Sequence, residues 1–447
     1  MEWAICDFAF YRPDSEEPNL NLVESATPTE PKAMKTFLFK PLTAALLAVA
    51  FIAPTQAAET GRSVATWAAS PQPTWDADFV LPNGAPAELR DQTLRQVARV
   101  SVGGTRVRIE LSNAYGDRPV TIGAAHIARS TGGAGIETGS DRALSFGGQP
   151  SVTIPPGAPV LSDPVELEIA ALGEVAVSLY LPQTTPLKTF HWEGRQDAYL
   201  VAGNRVADVT LAKGQVLQTR PLLSGVIVDA PRPTRSVIAL GDSITDGAGS
   251  TPNRNQRWPD VLAARLAQRD VAVLNAGISG GQLLNDGMGV SALARFERDV
   301  LGRKADAAIV LLGINDIAWP GSSFEPQREA ITAERLIAGY RQLIARARTQ
   351  SLRIVGATLT PFEGALEGSP IHNYYDRDKD RVRQAVNEWI RSSGEFDAVV
   401  DFDAVVRDPQ HPARFLPAYD SGDHLHPGDA GYRAMAAAID EALLFGR

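Results

Sequence analysis

Past Arg235 the chain repeats one alternation: a short continuous apolar run, then a stretch whose apolar residues recur every three or four positions. The runs are Val237–Leu240, Val271–Leu274, Ala307–Leu312, Ile354–Leu359 and Ala398–Phe402. Apolar runs this short, with no polar alternation, suit strands buried on both faces. Between them stand three helical stripes: Val261, Leu262 and Leu266; Leu336, Ile337, Tyr340, Leu343 and Ile344; Val382, Ala385, Val386, Trp389 and Ile390. Each stripe buries one helix face on a sheet. The pattern predicts a doubly wound, three-layer α/β domain with a parallel sheet over 235–447, and such domains carry their chemistry at the carboxyl ends of the strands.

Upstream, between Gly61 and Ala230, the period changes to two. Alternating runs on either side of Gly103-Gly104 read as a β-hairpin. Further runs follow at Val120–Ile127, Leu144–Phe146, Val152–Ile154, Val165–Ile169 and Val175–Leu181, separated by turns such as Pro155-Pro156-Gly157. Many short strands at this spacing predict an all-β sandwich of jelly-roll type over 58–230. Pro231-Arg232-Pro233 reads as the linker. Such a sandwich either binds carbohydrate or buttresses the enzyme beside it, and the sequence alone favours the buttress.

From Met34 a basic start (Lys35, Lys40), an apolar core from Leu42 to Ala53 and small residues at Ala57-Ala58 form a bacterial-type signal peptide, 34–57. The core is too short to span a bilayer. Residues 1–33 read as an extension upstream of the true initiator; the alternative is a polar tail before a buried helix. Export to the periplasm or beyond follows from the signal peptide. Cys6 is the one cysteine, which excludes an intrachain disulfide and a thiolate metal site, and the net charge of −9 argues against a nucleic-acid partner.

Polar clusters follow the first three of these strands, and another lies near the C-terminus: Gly241-Asp242-Ser243, Asn275-Ala276-Gly277-Ile278-Ser279-Gly280-Gly281, Gly313-Ile314-Asn315-Asp316, and Asp423-His424-Leu425-His426-Pro427. The last precedes an amphipathic pattern through Tyr432, Met435 and Ile439. Acyl transfer needs a hydroxyl activated by a base, a carboxylate orienting that base, and donors aimed at the developing oxyanion. Ser243, His426 and Asp423 can fill the first three roles. The N–H groups of Ser243 and Gly280 and the amide of Asn315 can form the oxyanion hole.

Rival readings exist. Gly277-Ile278-Ser279-Gly280-Gly281 fits the Gly-x-Ser-x-Gly nucleophile elbow, making Ser279 a competitor. Asn315 is also a common loop cap. His424 competes for the base but more naturally lines or packs beside the site, and His411, His424, His426 and Asp423 leave a metal site as a minor alternative. His126, His191 and His372 are scattered singly and read as structural or surface residues. Asp242, Trp319 and Phe362, on strand-end loops, join His424 as candidates for the substrate pocket. Asp401-Phe402-Asp403 reads as strand end and turn.

The four clusters, in this order, resemble the blocks of the SGNH (GDSL-type) hydrolase superfamily, with a flavodoxin-like fold. Its four named residues fall on Ser243, Gly280, Asn315 and His426, and the acid of its Asp-x-x-His block on Asp423. The match spans 235–447; Ile244, where the name-giving motif has Leu, is a conservative departure. The whole mature chain is similar to a secreted subgroup typified by acetyl xylan esterase-like proteins. The resemblance implies ester hydrolysis through an acyl-enzyme with no cofactor and no metal, on a small-molecule or polysaccharide ester such as O-acetyl groups of xylan. A broad-specificity lipase or arylesterase is the alternative, and a non-catalytic carbohydrate-binding protein with a degenerate hydrolase domain is the alternative of another class.

Overall fold

In the computed structural model the described residues are 63–446, apart from 77, 212 and 213. The expected extension (1–33) and signal peptide (34–57) lie outside them.

All five apolar runs form strands of one sheet: Arg235–Gly241, Val271–Gly277, Ala307–Leu311, Arg353–Ala357 and Ala398–Val400. In space the second strand lies beside the first, followed by the third, fourth and fifth, all parallel. The chain steps from the first strand to one side and returns to the other for the third. A crevice therefore opens at the carboxyl ends around the first strand, where this topology reverses. Helices Trp258–Leu266, Ala333–Thr349, Arg377–Ser392 and Asp429–Ala437 accompany the sheet. Trp258, Leu262, Leu336, Tyr340, Leu343, Val386 and Tyr432 are buried in the same core as Val237–Leu240, which is what the helical stripes require. The fifth strand is shorter than expected because Asp401 caps the helix Phe402–Val406 by accepting from Ala404 N at 3.1 Å. Asp401 and Asp403 are salt-bridged to Arg391, with Asp403 also on Arg383 and Arg407.

The N-terminal part is built from antiparallel strands in two principal sheets. One runs Ser63–Ala68, Leu223–Asp229, Gly104–Ser112, Pro159–Leu161; the other runs Gln215–Leu217, Ala198–Ala202, Gln92–Arg99, Glu174–Leu181, Ala124–Gly132, Gly135–Ile136. Their inward residues, among them Val107, Ile109, Val226, Leu94, Val177 and Leu179, share one core. The expected hairpin at Gly103-Gly104 is not formed. Gln92–Arg99 and Gly104–Ser112 belong to different sheets, and the Gly-Gly pair carries the chain from one to the other. A Cβ on Gly103 would sit 2.3 Å from the Ile169 carbonyl oxygen; glycine is used here for close backbone approach.

Both parts lie in one compact unit, Ala58–Arg447. Ser101 Oγ accepts from Val273 N of the parallel sheet (3.1 Å), Arg303 forms a two-pronged pair with Glu110 (2.8 and 2.9 Å), and Gln72 donates to the Met288 carbonyl (2.6 Å). Among the described residues no helix is long and apolar enough to cross a membrane.

Candidate active site

The first strand ends at Gly241, and Asp242 caps the single turn Ser243–Asp246, its Oδ1 accepting from Ile244 N at 3.0 Å. Ser243 is thereby held at the start of a helical turn at the sheet's carboxyl edge. Arg295, fully buried, donates to the carbonyls of Gly241 (2.9 Å) and Ala276 (2.7 Å) and pairs with Asp299 (3.0 Å). It ties together the ends of the two strands that lead into the site.

His426 Nε2 lies 2.8 Å from Ser243 Oγ, and its Nδ1 lies 2.6 Å from Asp423 Oδ2. The other oxygen of Asp423 accepts from the N–H groups of Leu425 (3.0 Å) and His426 (2.8 Å). Burial alone would depress the imidazole's pKa, but the hydrogen bond and charge of Asp423 outweigh it and raise the value above the ordinary 6.5. Burial likewise opposes ionisation of Asp423, yet the His426 contact and the two N–H donors hold it well below the usual carboxylate range.

Gly280 has φ +71°, and a Cβ there would lie 2.5 Å from Met288 Sδ and 2.9 Å from the Trp319 ring. Only glycine fits. Among the described residues no carbonyl or side chain accepts from the N–H of Gly280 or of Ser243. Asn315 is oriented by three contacts: its Nδ2 donates to the Gly281 carbonyl (2.9 Å), while Oδ1 accepts from Trp319 Nε1 (3.1 Å) and Tyr374 OH (2.6 Å). With both acceptor positions of Oδ1 filled, the amide nitrogen faces the Gly280–Gly281 side. The neighbouring Asp316 accepts from Leu283 N (2.7 Å) and Leu284 N (2.9 Å), bracing the same loop, and burial pushes its carboxyl up to about 7.

Ser243, Gly280, Asn315, Asp423 and His426 all line one cavity of about 310 Å³. Of the four pocket candidates, Trp319 lines it too. The other three do not. Asp242 is fully buried beneath the serine turn. Phe362 is buried behind the wall, edge-on to Tyr374 and Tyr375. His424 turns outward at φ +61° and bonds Asp420 through Nδ1 at 2.5 Å. Ser279 also borders the cavity, but its hydroxyl donates to Asp246 Oδ2 (3.0 Å), and among the described residues no histidine is hydrogen-bonded to it. Among the described residues no three His, Cys, Asp or Glu side chains are grouped as metal ligands.

Sequence reasoning missed what the β part contributes. Leu81, Trp192, Glu193 and Arg195 stand in the cavity wall. His191, read as a structural or surface residue, bonds Asp246 at 2.9 Å, and Asp246 in turn accepts from the N–H (2.9 Å) and hydroxyl of Ser279. The β part therefore contributes residues to the cavity wall and a contact to the loop behind it. Tyr374 and Arg295 were likewise unforeseen.

Residues 237–439 match the family model described as GDSL-like lipase/acylhydrolase. An acetylxylan esterase of Geobacillus stearothermophilus is 26% identical over 217 residues, covering 45% of this chain and 91% of that protein. Similar solved structures include an acetyl xylan esterase (20% identity, 45% of this chain and 96% of that one, TM-score 0.34) and a GDSL-like lipase from Bacteroides thetaiotaomicron (20% identity, 47% and 87%, TM-score 0.35). The α/β part of the chain is thus a GDSL-like lipase/acylhydrolase domain, and the protein is a carboxylic ester hydrolase.

Proposed function

We propose that this protein is a secreted serine esterase that removes short acyl groups, acetyl above all, from a hydroxyl-rich polysaccharide such as xylan. The observation that carries the reading is the chain of contacts Ser243 Oγ–His426 Nε2–Asp423 at 2.8 and 2.6 Å. In this reading Ser243 attacks the ester carbonyl while His426 takes its proton. The tetrahedral oxyanion is stabilised by the N–H groups of Ser243 and Gly280 and by Asn315 Nδ2. His426 then protonates the departing alcohol, leaving an acyl-enzyme, and water activated by the same imidazole releases the acid. Asp423 keeps the imidazole in the tautomer that presents a bare Nε2 to the serine.

The relative from Geobacillus stearothermophilus, an acetylxylan esterase by name, supports the acetyl substrate. The signal-like segment 34–57 supports export, and the change of period at 230–235 supports a sandwich of jelly-roll type over 58–230 ahead of the hydrolase domain at 235–447. A second reading, a broad-specificity arylesterase or lipase, draws on the apolar part of the cavity wall, Met288, Trp319, Phe324 and Ile371. Acetate release from acetylated xylan, measured beside hydrolysis of acetyl and long-chain nitrophenyl esters, separates the two. Xylan deacetylation with a preference for the acetyl ester is expected; faster turnover of the long chains favours the second reading.

A further inference from the structure

The cavity has two chemically distinct ends. Around Gly280 stand Met288 and the Trp319 ring, close enough that a single added carbon on Gly280 would collide with both. In an acyl transfer the acyl group lies beyond the oxyanion donors, so this apolar end faces the acid part of the ester. The leaving alcohol lies on the opposite side, next to the imidazole that must protonate it. The segment after the Ser243 turn runs along that side: a Cβ on Gly249 would lie 2.7 Å from the carbonyl oxygen of Pro427, the neighbour of His426, and Asn253 N further along it donates to the Arg195 carbonyl, which places there a polar pair from the β part, Glu193 and Arg195, linked at 3.1 Å and largely shielded from solvent. The charges of Glu193 and His426 are near enough to influence each other's titration.

The loop that carries the pair is fixed through its backbone. Trp192 N donates to Gln72 Oε1 (3.0 Å), Gly194 N to the Gln218 carbonyl (2.8 Å), and Asn253 N to the Arg195 carbonyl (3.0 Å). Asn253 belongs to the segment that follows the Ser243 turn, so this loop of the β part is fixed against the hydrolase part itself. Arg195 takes up the unusual φ of +47°, and its Nε is buried with no hydrogen-bond partner among the described residues. A buried guanidinium N–H left without an acceptor is costly and signals a group waiting for one.

We propose that Arg195 and Glu193 form an alcohol-side subsite that recognises a free hydroxyl beside the ester on the leaving sugar. This rests on the reading of Ser243 and His426 as nucleophile and base. A hydroxyl both donates and accepts: it can accept from Arg195 Nε and donate to Glu193. A lone arginine would suit a carboxylate, but the adjacent Glu193 repels an anionic alcohol, so the pair selects a neutral, hydroxyl-bearing one. The β part thereby sets which alcohol is accepted, while the α/β part carries the chemistry.

The test compares a mono-O-acetyl methyl xyloside bearing a hydroxyl next to the ester with its deoxy analogue. The wild-type protein is expected to favour the hydroxyl-bearing ester by about 10-fold or more in kcat/KM, the scale of a hydrogen bond to a charged group. In Arg195→Ala that preference is expected to collapse toward unity, and in Arg195→Lys to be partly kept. An absence of preference in the wild type, or the same preference in Arg195→Ala, overturns the subsite. If Arg195→Ala does not fold, as judged by thermal melting, Glu193→Gln makes the same comparison with a reduced preference expected. Activity on nitrophenyl acetate that survives in Ser243→Ala sinks the underlying serine reading instead, a result independent of either sugar ester.

Discussion

His191 and Asp246 meet across the junction of the β and α/β parts at 2.9 Å, both buried, with His191 Nδ1 placed 3.1 Å from the Ser70 carbonyl. Asp246 spends its other oxygen on the N–H and hydroxyl of Ser279, the residue just before Gly280. In the proposed mechanism His191 is thus a positioning residue for the loop that presents the Gly280 N–H. Losing one oxyanion donor in a serine hydrolase costs about 10²–10³ in kcat, and a displaced donor costs part of that. Asp246→Ala is expected to lower kcat by about 10- to 100-fold with little change in KM, and His191→Ala by less. A KM effect dominating in both would mean that the pair shapes substrate binding instead.

The two serines separate cleanly. Ser243→Ala removes the hydroxyl bonded to His426 and is expected to cut kcat by roughly 10⁴–10⁶. Ser279→Ala removes one hydroxyl contact to Asp246 while its N–H contact stays, so a loss under about tenfold is expected. Nitrophenyl acetate turnover and trapping by a serine-directed phosphonate measure both. Loss of phosphonate labelling in Ser279→Ala with labelling kept in Ser243→Ala reverses the assignment.

Asn315 depends on Tyr374 and Trp319 for its orientation. Tyr374→Phe deletes one of the two donors on Asn315 Oδ1 without opening a cavity, and leaves a buried acceptor with a single partner, a loss of about 1 kcal/mol. The expected result is a fall in kcat of a few-fold to tenfold with an unchanged KM. Asn315→Ala is expected to lose about 10²–10³. Equal activity of wild type and Tyr374→Phe would show that Trp319 alone orients the amide.

Much of this was readable from the chain because local rules govern it. Each strand of the parallel sheet is buried on both faces and so appears as an uninterrupted apolar run, and each polar cluster follows its strand directly. Legibility ends where partners are chosen by tertiary packing. His191 is a single histidine in a strand-rich stretch, and nothing nearby in sequence announces a carboxylate 55 positions away. Arg295 looks like a surface charge on a helix until Asp299 and two strand-end carbonyls surround it. The Gly103-Gly104 turn was misread because period-two alternation reports which face is buried but not which sheet a strand joins.

The raised imidazole pKa sets the acid limb of the rate. In the proposed mechanism His426 must be neutral to accept the serine proton, so kcat/KM is expected to climb as pH rises through a value above 6.5. Because the hydrogen bond and charge of Asp423 are what raise it, Asp423→Asn should move that limb to lower pH while the rate falls, by up to the order of 10⁴ seen when an orienting acid is neutralised. A limb that stays in place in Asp423→Asn would assign the titration to another group.

Stability should carry its own pH signature through Asp242. Its carboxyl is fully buried, Oδ1 holds the Ile244 N–H, and Oδ2 has no partner among the described residues; burial pushes the group from 3.8 up to about 7. Between those values the folded protein binds a proton that the unfolded chain has released, so the contribution of this group to stability is fully present below the lower value and is lost as pH rises through the upper one. Asp316, also pushed up to about 7 by burial, adds to the same slope. Asp242→Asn keeps the shape and an acceptor for Ile244 but cannot titrate. Between pH 4 and pH 7, about the window those two values bound, the melting temperature of Asp242→Asn is therefore expected to rise relative to that of the wild type, the variant's own slope coming from the other shifted groups, Asp316, Glu193, Glu325 and His426 among them. Parallel melting curves across that window for the two proteins would show that Asp242 does not change its protonation on unfolding.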